Sequence, residues 1–208
     1  MTIEGRLMRK IRKICVYCGS SAGADPAFLA TARDFGRILA ENGIGLVYGG
    51  GDLGLMGAVA HAVLNAGGHV TGIIPHFLQK RENMLESVQE LIVVGDMHER
   101  KRLMFERSDA FVALPGGIGT LEELVEQLTW QQLGRHSKPV LLANIDDFWE
   151  PLFALLAHMR ATQFIRTGFS VEILKADRVE DILPRLRAAA ARTPESAMEM
   201  APEIARRL

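Results

Sequence analysis

Apolar residues fall along this chain in short continuous runs that alternate with helical stripes. Ile14–Tyr17 is apolar and stops at Gly19-Ser20-Ser21. From Pro26 to about Asn42, Phe28, Leu29, Ala32, Phe35, Ile38 and Leu39 recur at three- and four-residue intervals, the period of an amphipathic helix. Pro26 suits the first turn of that helix and Gly43 its end. Ile44–Tyr48 reads as a second strand, followed by Gly49-Gly50-Gly51 and a helix from about Leu55 to Ala66. His69–Ile74 is a third strand, 76–88 is irregular and polar, and Glu90–Val94 is a fourth strand. A helix is expected from Asp96 to about Arg107, a strand at Ala110–Leu114, and a helix from Thr120 to Leu133 with Leu121, Leu124, Val125 and Leu128 packed inward. Pro139–Ala143, a helix from about Asp147 to Arg160, a weaker strand near Val171–Lys175 and a helix near Val179–Arg192 close the pattern. Pro184 is expected to kink or restart the last helix. The chain reads as one domain over 1–192 and a flexible tail over 193–208.

Buried apolar strands alternating with amphipathic helices imply a mostly parallel sheet covered on both faces. The expected fold class is α/β, a single doubly wound Rossmann-like domain. In such sheets ligands bind outside the carboxyl ends of the strands. Gly19–Ser21, Gly49–Gly51, Glu82, Arg100 and Pro115–Gly119 all follow strand ends, so they are expected along one edge.

Composition narrows the function. Hydrophobic residues make up 48% of the 208 and charged residues 24%, which excludes disordered, collagen-like and disulfide-dense chains. A formal net charge of −1 leaves no global basic field, so nucleic acid is not an expected partner. No apolar run approaches the roughly 18–20 residues that span a bilayer, so no membrane association is expected. The basic start, with Arg6, Arg9, Lys10, Arg12 and Lys13, leads into an apolar run too short for a signal-peptide core, and the expected location is the cytoplasm. Cys15 and Cys18 form C-x-x-C, a motif that is redox-active where it opens a helix. Here it lies on a strand, where residues three apart face opposite sides. Both are expected to be buried structural thiols.

Four segments carry candidate chemistry. In Pro115-Gly116-Gly117-Ile118-Gly119-Thr120-Leu121-Glu122-Glu123, a strand passes through glycines into a helix. Backbone N–H groups there can approach an anion, and Thr120 adds a hydroxyl. The competing reading is a tight turn with a capping box of Thr120 and Glu123; three glycines in four positions favour the anion site. In Asp96-Met97-His98-Glu99-Arg100-Lys101, the early cations Arg100 and Lys101 oppose the helix dipole, a cost that a bound phosphate would offset. The alternative is a solvated charged face with Glu99, Arg102, Glu106 and Arg107. Gly49–Gly54 matches G-x-G-x-x-G, but the next strand ends Ile73-Ile74-Pro75 with no acid for a dinucleotide ribose. Gly19–Gly23 matches the G-x-S-x-G elbow, but in a chain short for a hydrolase of that kind, and hydrogen bonding to ligand or loop is the expected role of Ser21. No phosphate-binding G-x-x-x-x-G-K-[ST] loop and no metal-ligand spacing of histidines occurs, and His61, His69, His136 and His158 read as ordinary residues.

With Pro115–Glu123 and Met97–Lys101 in hand, the sequence resembles the Lonely Guy family of cytokinin riboside 5′-monophosphate phosphoribohydrolases, often labelled lysine decarboxylase. The family pattern P-G-G-x-G-T-x-x-E is matched by Pro115, Gly116, Gly117, Gly119, Thr120 and Glu123, and M-H-x-R-K by Met97, His98, Arg100 and Lys101. Cys18–Ser21, Tyr48–Gly51, Gly54–Gly57 and Thr129-Trp130-x-Gln132-Leu133-Gly134 fit as well, and the likeness runs from about residue 12 to 190. The resemblance implies hydrolysis of AMP or an N6-modified AMP to free base and ribose 5-phosphate, without metal or organic cofactor. It implies Arg100 and Glu123 as the catalytic pair. Nucleotide contacts are implied at Ser20, Gly50, Glu82, Lys101, Gly116, Gly117, Ile118, Gly119, Thr120, Leu121, Glu122 and Thr129. It also implies a homodimer whose partner helps complete the site. Met56, Met84 and Phe105 are candidates for an apolar pocket around an N6 substituent. A pyridoxal-dependent decarboxylase would need a Schiff-base lysine, with Lys101 and Lys138 the lysines expected near the edge. A non-catalytic nucleotide-binding protein is the remaining alternative.

Overall fold

The structure is a computed structural model that describes residues 10–165 and 172–192. The sequence expectations for the basic residues Arg6 and Arg9, for Val171 and for the tail 193–208 lie outside these described residues.

Seven strands form one sheet: β1 (Lys13–Tyr17), β2 (Gly45–Tyr48), β3 (Val70–Pro75), β4 (Glu90–Val94), β5 (Ala110–Ala113), β6 (Val140–Ala143) and β7 (Ile173–Ala176). The spatial order is β4-β3-β2-β1-β5-β6-β7, and every neighbouring pair is parallel. Six helices cover it: α1 (Pro26–Glu41), α2 (Gly54–Asn65), α3 (Met97–Glu106), α4 (Ile118–Gln132), α5 (Glu150–Ala161) and α6 (Val179–Arg192). This is the expected doubly wound α/β architecture. Strand order runs outward from β1 to β4 and then returns to place β5 on the other side of β1. The crevice of such a sheet opens at that reversal, beyond the carboxyl ends of β1 and β5. Gly19 and Pro115 meet there, joined by Gly19 N–H to Pro115 C=O at 3.1 Å.

The side-chain alternation of a strand divides the core in two. Ile14 and Val16 point to the face with Phe35, Leu39, Val59 and Leu186. Cys15 and Tyr17 point to the face with Met104, Phe111, Leu124 and Trp149. The two thiols are free and buried, Cys15 in one cluster and Cys18 in the other, as their spacing requires.

Local chemistry sets the helix starts. Asp25 caps α1 by accepting from Ala27 N–H at 2.8 Å, with Pro26 at the first position. Asp96 caps α3 through Glu99 N–H at 2.8 Å, and the Glu99 carboxylate returns to Gly95 N–H at 3.0 Å. Other boundaries differ from expectation. Helix α4 begins at Ile118 with Gly117 as its N-cap, so Thr120 already lies inside the first turn and the Thr120–Glu123 capping box does not form. Val125 is 43% exposed rather than packed inward, because it lies on the outer side of α4 from the buried Leu124 and Leu128. Helix α6 runs unbroken through Pro184; its missing N–H falls in the second turn, where only one helical bond is forfeited. Helix α5 starts at Glu150, after a 3-10 turn at Ile145–Asp147 in which Asp146 and Asp147 take positive φ. Lys138 stands just before the start of β6, at the opposite edge from the crevice, with Nζ donating to Phe105 C=O at 2.6 Å.

Candidate functional site

A cavity of about 340 Å³ opens at the crevice, between the β1 and β5 loops, the 76–84 segment, and the starts of α3 and α4. Gly19, Ser20, Glu82, Arg100, Gly117–Thr120, Glu122 and Glu123 line it, as do Cys18, Met56, Leu78 and Met97. Residues far apart in sequence therefore converge as the topology requires.

Arg100 is the centre. It is 4% exposed, on a helix whose other charges include the exposed pair Arg102 and Glu106. Its Nη2 donates to Gly49 C=O at 3.4 Å and lies 3.8 Å from Glu123 Oε1 and 3.9 Å from Glu82 Oε2. The glycine is required: a Cβ on residue 49 would stand 2.1 Å from Nη2. Glu82 Oε2 and Arg100 Nε are buried without a hydrogen-bond partner. Such groups are costly in a dry interior and mark a place where a polar ligand completes the network.

The Gly49–Gly51 loop also holds Glu82 in place. Asp52 N–H donates to both Glu82 C=O and Asn83 C=O at 3.0 Å, and Leu85 N–H donates to Gly50 C=O at 3.0 Å. Gly51 pairs with Met84 in an isolated antiparallel bridge. The G-x-G-x-x-G match is thus a clamp on the 80s segment. Leu55 and Met56 N–H groups, at the start of α2, are taken by Gly19 C=O at 3.0 and 3.3 Å.

The start of α4 is different. No side chain caps it. Cβ atoms on Gly117 or Gly119 would meet nothing within 4 Å, whereas one on Gly116 would lie 2.2 Å from Thr120 Oγ1. The glycines thus leave open space in front of a helix N-terminus, beside the Thr120 hydroxyl, which is the geometry of an oxyanion cradle. One turn on, Glu123 reaches the same cavity. Burial, first, pushes its carboxyl up to about 7; Arg100 pulls it down, while Glu122 and Glu82 push it up again. Burial likewise raises Glu82 against the pull of Arg100. Two carboxyls of elevated pKa facing one guanidinium in a cavity form an acid–base constellation.

Other expected residues lie elsewhere. Lys101 is buried against α4, with Nζ 2.5 Å from Glu122 Oε1 and 3.0 Å from Glu126 Oε1. Leu121 is half-buried against the core, and Thr129 is exposed on α4 with its hydroxyl donating to Val125 C=O. Gly50 is not among the residues lining the cavity, and a Cβ there would lie 3.0 Å from the Ile74 Cβ. Ser21 accepts from Gly23 N–H at 3.4 Å and lines a neighbouring pocket with Phe28, Leu55 and Phe148. His98 is exposed. Of the apolar candidates, Met56 lines the cavity, whereas Phe105 stacks on Phe111 and Met84 accepts from Gln79. Leu78 was not anticipated, since nothing in a polar, irregular segment marks one leucine as facing a cavity. A larger groove of about 560 Å³ between α1 and α2 is lined by Arg33, Asp34, Arg37 and His61, but holds no buried charged group.

A family model described as "possible lysine decarboxylase" matches residues 56–186. A cytokinin riboside 5′-monophosphate phosphoribohydrolase of Oryza sativa subsp. japonica is 46% identical over 182 residues, 88% of this chain and 75% of that protein. One from Arabidopsis thaliana is 46% identical over 188 residues, 89% of this chain and 87% of that protein. Among solved structures, a molybdenum cofactor binding protein from Rippkaea orientalis is similar at 28% identity and a TM-score of 0.65, covering 87% of this chain and 98% of that one. The Moco carrier protein of Chlamydomonas reinhardtii shares the fold at 23% identity and a TM-score of 0.66, covering 88% and 100%. Pyridoxal chemistry needs a lysine for the Schiff base. Among the described residues no lysine lines the cavity, Lys101 is committed to two carboxylates, and Lys138 stands at the far edge, so that group does not fit here.

Proposed function

This chain belongs to the Lonely Guy family of cytokinin riboside 5′-monophosphate phosphoribohydrolases, and from that premise we propose that it hydrolyses the N-glycosidic bond of AMP or an N6-modified AMP. Water adds across the bond: the C1′–N bond breaks, the base leaves with the electron pair and takes a proton, and hydroxide joins C1′ to give ribose 5-phosphate. The observation that carries the reading is the buried Arg100–Glu123 pair, one helical turn from the uncapped start of α4.

The 5′-phosphate binds the N–H groups of Gly117–Thr120 and the Thr120 hydroxyl, which holds C1′ against Glu123. Positive charge develops on the sugar as the bond breaks, as in glycoside hydrolysis. The Glu123 carboxylate stabilises that charge and orients the attacking water. Arg100 keeps Glu123 ionisable despite burial, and Glu82, with an oxygen that takes no hydrogen bond, receives ribose hydroxyls. Met56, Leu78 and Met97 provide the apolar part of the wall. Water is the only co-substrate this scheme requires.

A homodimer fits the outer stripe of α4, where Ile118, Val125 and Leu133 are 82%, 43% and 52% exposed and Thr129 lies between them. A partner seated there gives Thr129 a route to the nucleotide of a shared site. Two unpaired buried thiols suit a cytoplasmic setting. No helix among the described residues is long and apolar enough to cross a membrane.

Incubation with AMP and with N6-isopentenyl-AMP, followed by chromatography of the bases, tests the proposal. Free base and ribose 5-phosphate in equal amounts are expected. Nucleotide binding with no base released would replace the hydrolase reading with that of a non-catalytic binder.

A further inference from the structure

The catalytic pair is not what holds itself together. Arg100 Nη2 and Glu123 Oε1 are 3.8 Å apart, beyond hydrogen-bond length. The short contacts between α3 and α4 belong to residues beside the pair. Lys101 Nζ lies 2.5 Å from Glu122 Oε1 and 3.0 Å from Glu126 Oε1. Glu122 and Glu126 are one turn apart on α4 and so present a single edge. The Lys101 side chain is 8% exposed, and Glu126 22%.

Consecutive helical residues point about 100° apart. Arg100 therefore turns into the cavity while Lys101 runs along α4, and Glu123 turns inward while Glu122 faces Lys101. We propose that Lys101 is a positioning residue: by bridging Glu122 and Glu126 it clamps α3 to α4 and sets the distance between Arg100 and Glu123. The assignment rests on the hydrolase reading given above, and it differs from a lysine that touches the nucleotide. Buried charge is costly, and its best-attested use is to specify one arrangement over others. Here the arrangement is the register of two helices that each supply half of the reacting pair.

The clamp and a direct phosphate contact predict opposite kinetics. Misplacing a reacting group by about 1 Å can cost about 10²-fold in rate. Under the clamp, Lys101→Met lowers kcat by about that factor with KM unchanged, Lys101→Arg restores most of it, and Glu126→Gln, outside the cavity, lowers kcat in the same direction. A rise in KM with unchanged kcat in Lys101→Met, or full kcat in Glu126→Gln, overturns the proposal. Base release by the wild-type protein, measured first, reports on the hydrolase reading separately. A double-mutant cycle of Lys101→Met and Glu126→Gln in thermal unfolding reads the clamp without turnover. Coupling between the two sites is expected, and strict additivity overturns the clamp whatever the reaction proves to be.

Discussion

Glu123 is buried as an acid whose neutral form the fold prefers, and this gives opposite signs for activity and stability. Its carboxyl titrates near 7 in the folded chain, because burial outweighs the pull of Arg100. Between the ordinary carboxylate range and about pH 7 the folded state binds a proton that the unfolded state has released, so stability falls as pH rises through that window. The penalty is complete above it. Glu123→Gln, permanently neutral, is expected to raise the unfolding temperature by a few degrees at pH 8, on the order of 1–3 kcal/mol, and to leave it unchanged at pH 4. Scanning fluorimetry at both values checks this. Activity runs the other way: if the carboxylate is the working form, kcat/KM of the wild-type protein climbs through about pH 7, and the Gln variant is inactive at every pH. Gly49 is a second sensitive position. Gly49→Ala places a methyl 2.1 Å from Arg100 Nη2, the end of a flexible side chain, so the guanidinium moves and the fold stays. Base release is expected to drop by about 10²-fold, with unfolding in urea close to that of the wild type.

At the scale of elements, helices α1 and α2 show how closely two segments can be brought together. A Cβ on Gly36 would lie 2.5 Å from Val59 C=O and 2.7 Å from the Ala62 Cβ, neither of which can swing aside. Gly36→Ala would gain up to about 1 kcal/mol in helix propensity. Overpacking costs about 1–3 kcal/mol, so a net loss is expected in urea unfolding. The same scale explains what was legible in the residues alone. Periodicity located the seven strands and six helices of the described residues because apolar residues recur at the spacing of each, even in α5, where no residue is fully buried. It did not give the order β4-β3-β2-β1-β5-β6-β7, since strand pairing depends on contacts between distant segments. It also misjudged the start of α4: Thr120 and Glu123 carry a capping pattern, but the glycines before them already adopt the helical entry, with Gly117 in the capping role. Arg100 and Glu123 were readable as motif residues. The grip of Gly51 and Asp52 on the 80s segment was not, because it consists of backbone contacts that any side chain pattern would leave unmarked.

Across the whole molecule, the surface that suits the proposed assembly is the outer side of α4. Ile118, Val125 and Leu133 would lie covered in a dimer. Val125→Glu is expected to convert a dimer to a monomer in size-exclusion chromatography with light scattering, and to lower base release if Thr129 acts across the boundary. The two cysteines of the central strand extend the picture from architecture to motion. One lies under each layer of helices: Cys15 is sealed at mid-strand with no exposure, and Cys18, just past the strand's end, is 7% exposed at the edge of the cavity. Alkylation followed by mass spectrometry thus has a built-in pair of clocks. If the loop beyond Cys18 loosens independently, that thiol is trapped sooner than its neighbour; if the two layers part only in concert, both are trapped together, at the rate of global unfolding.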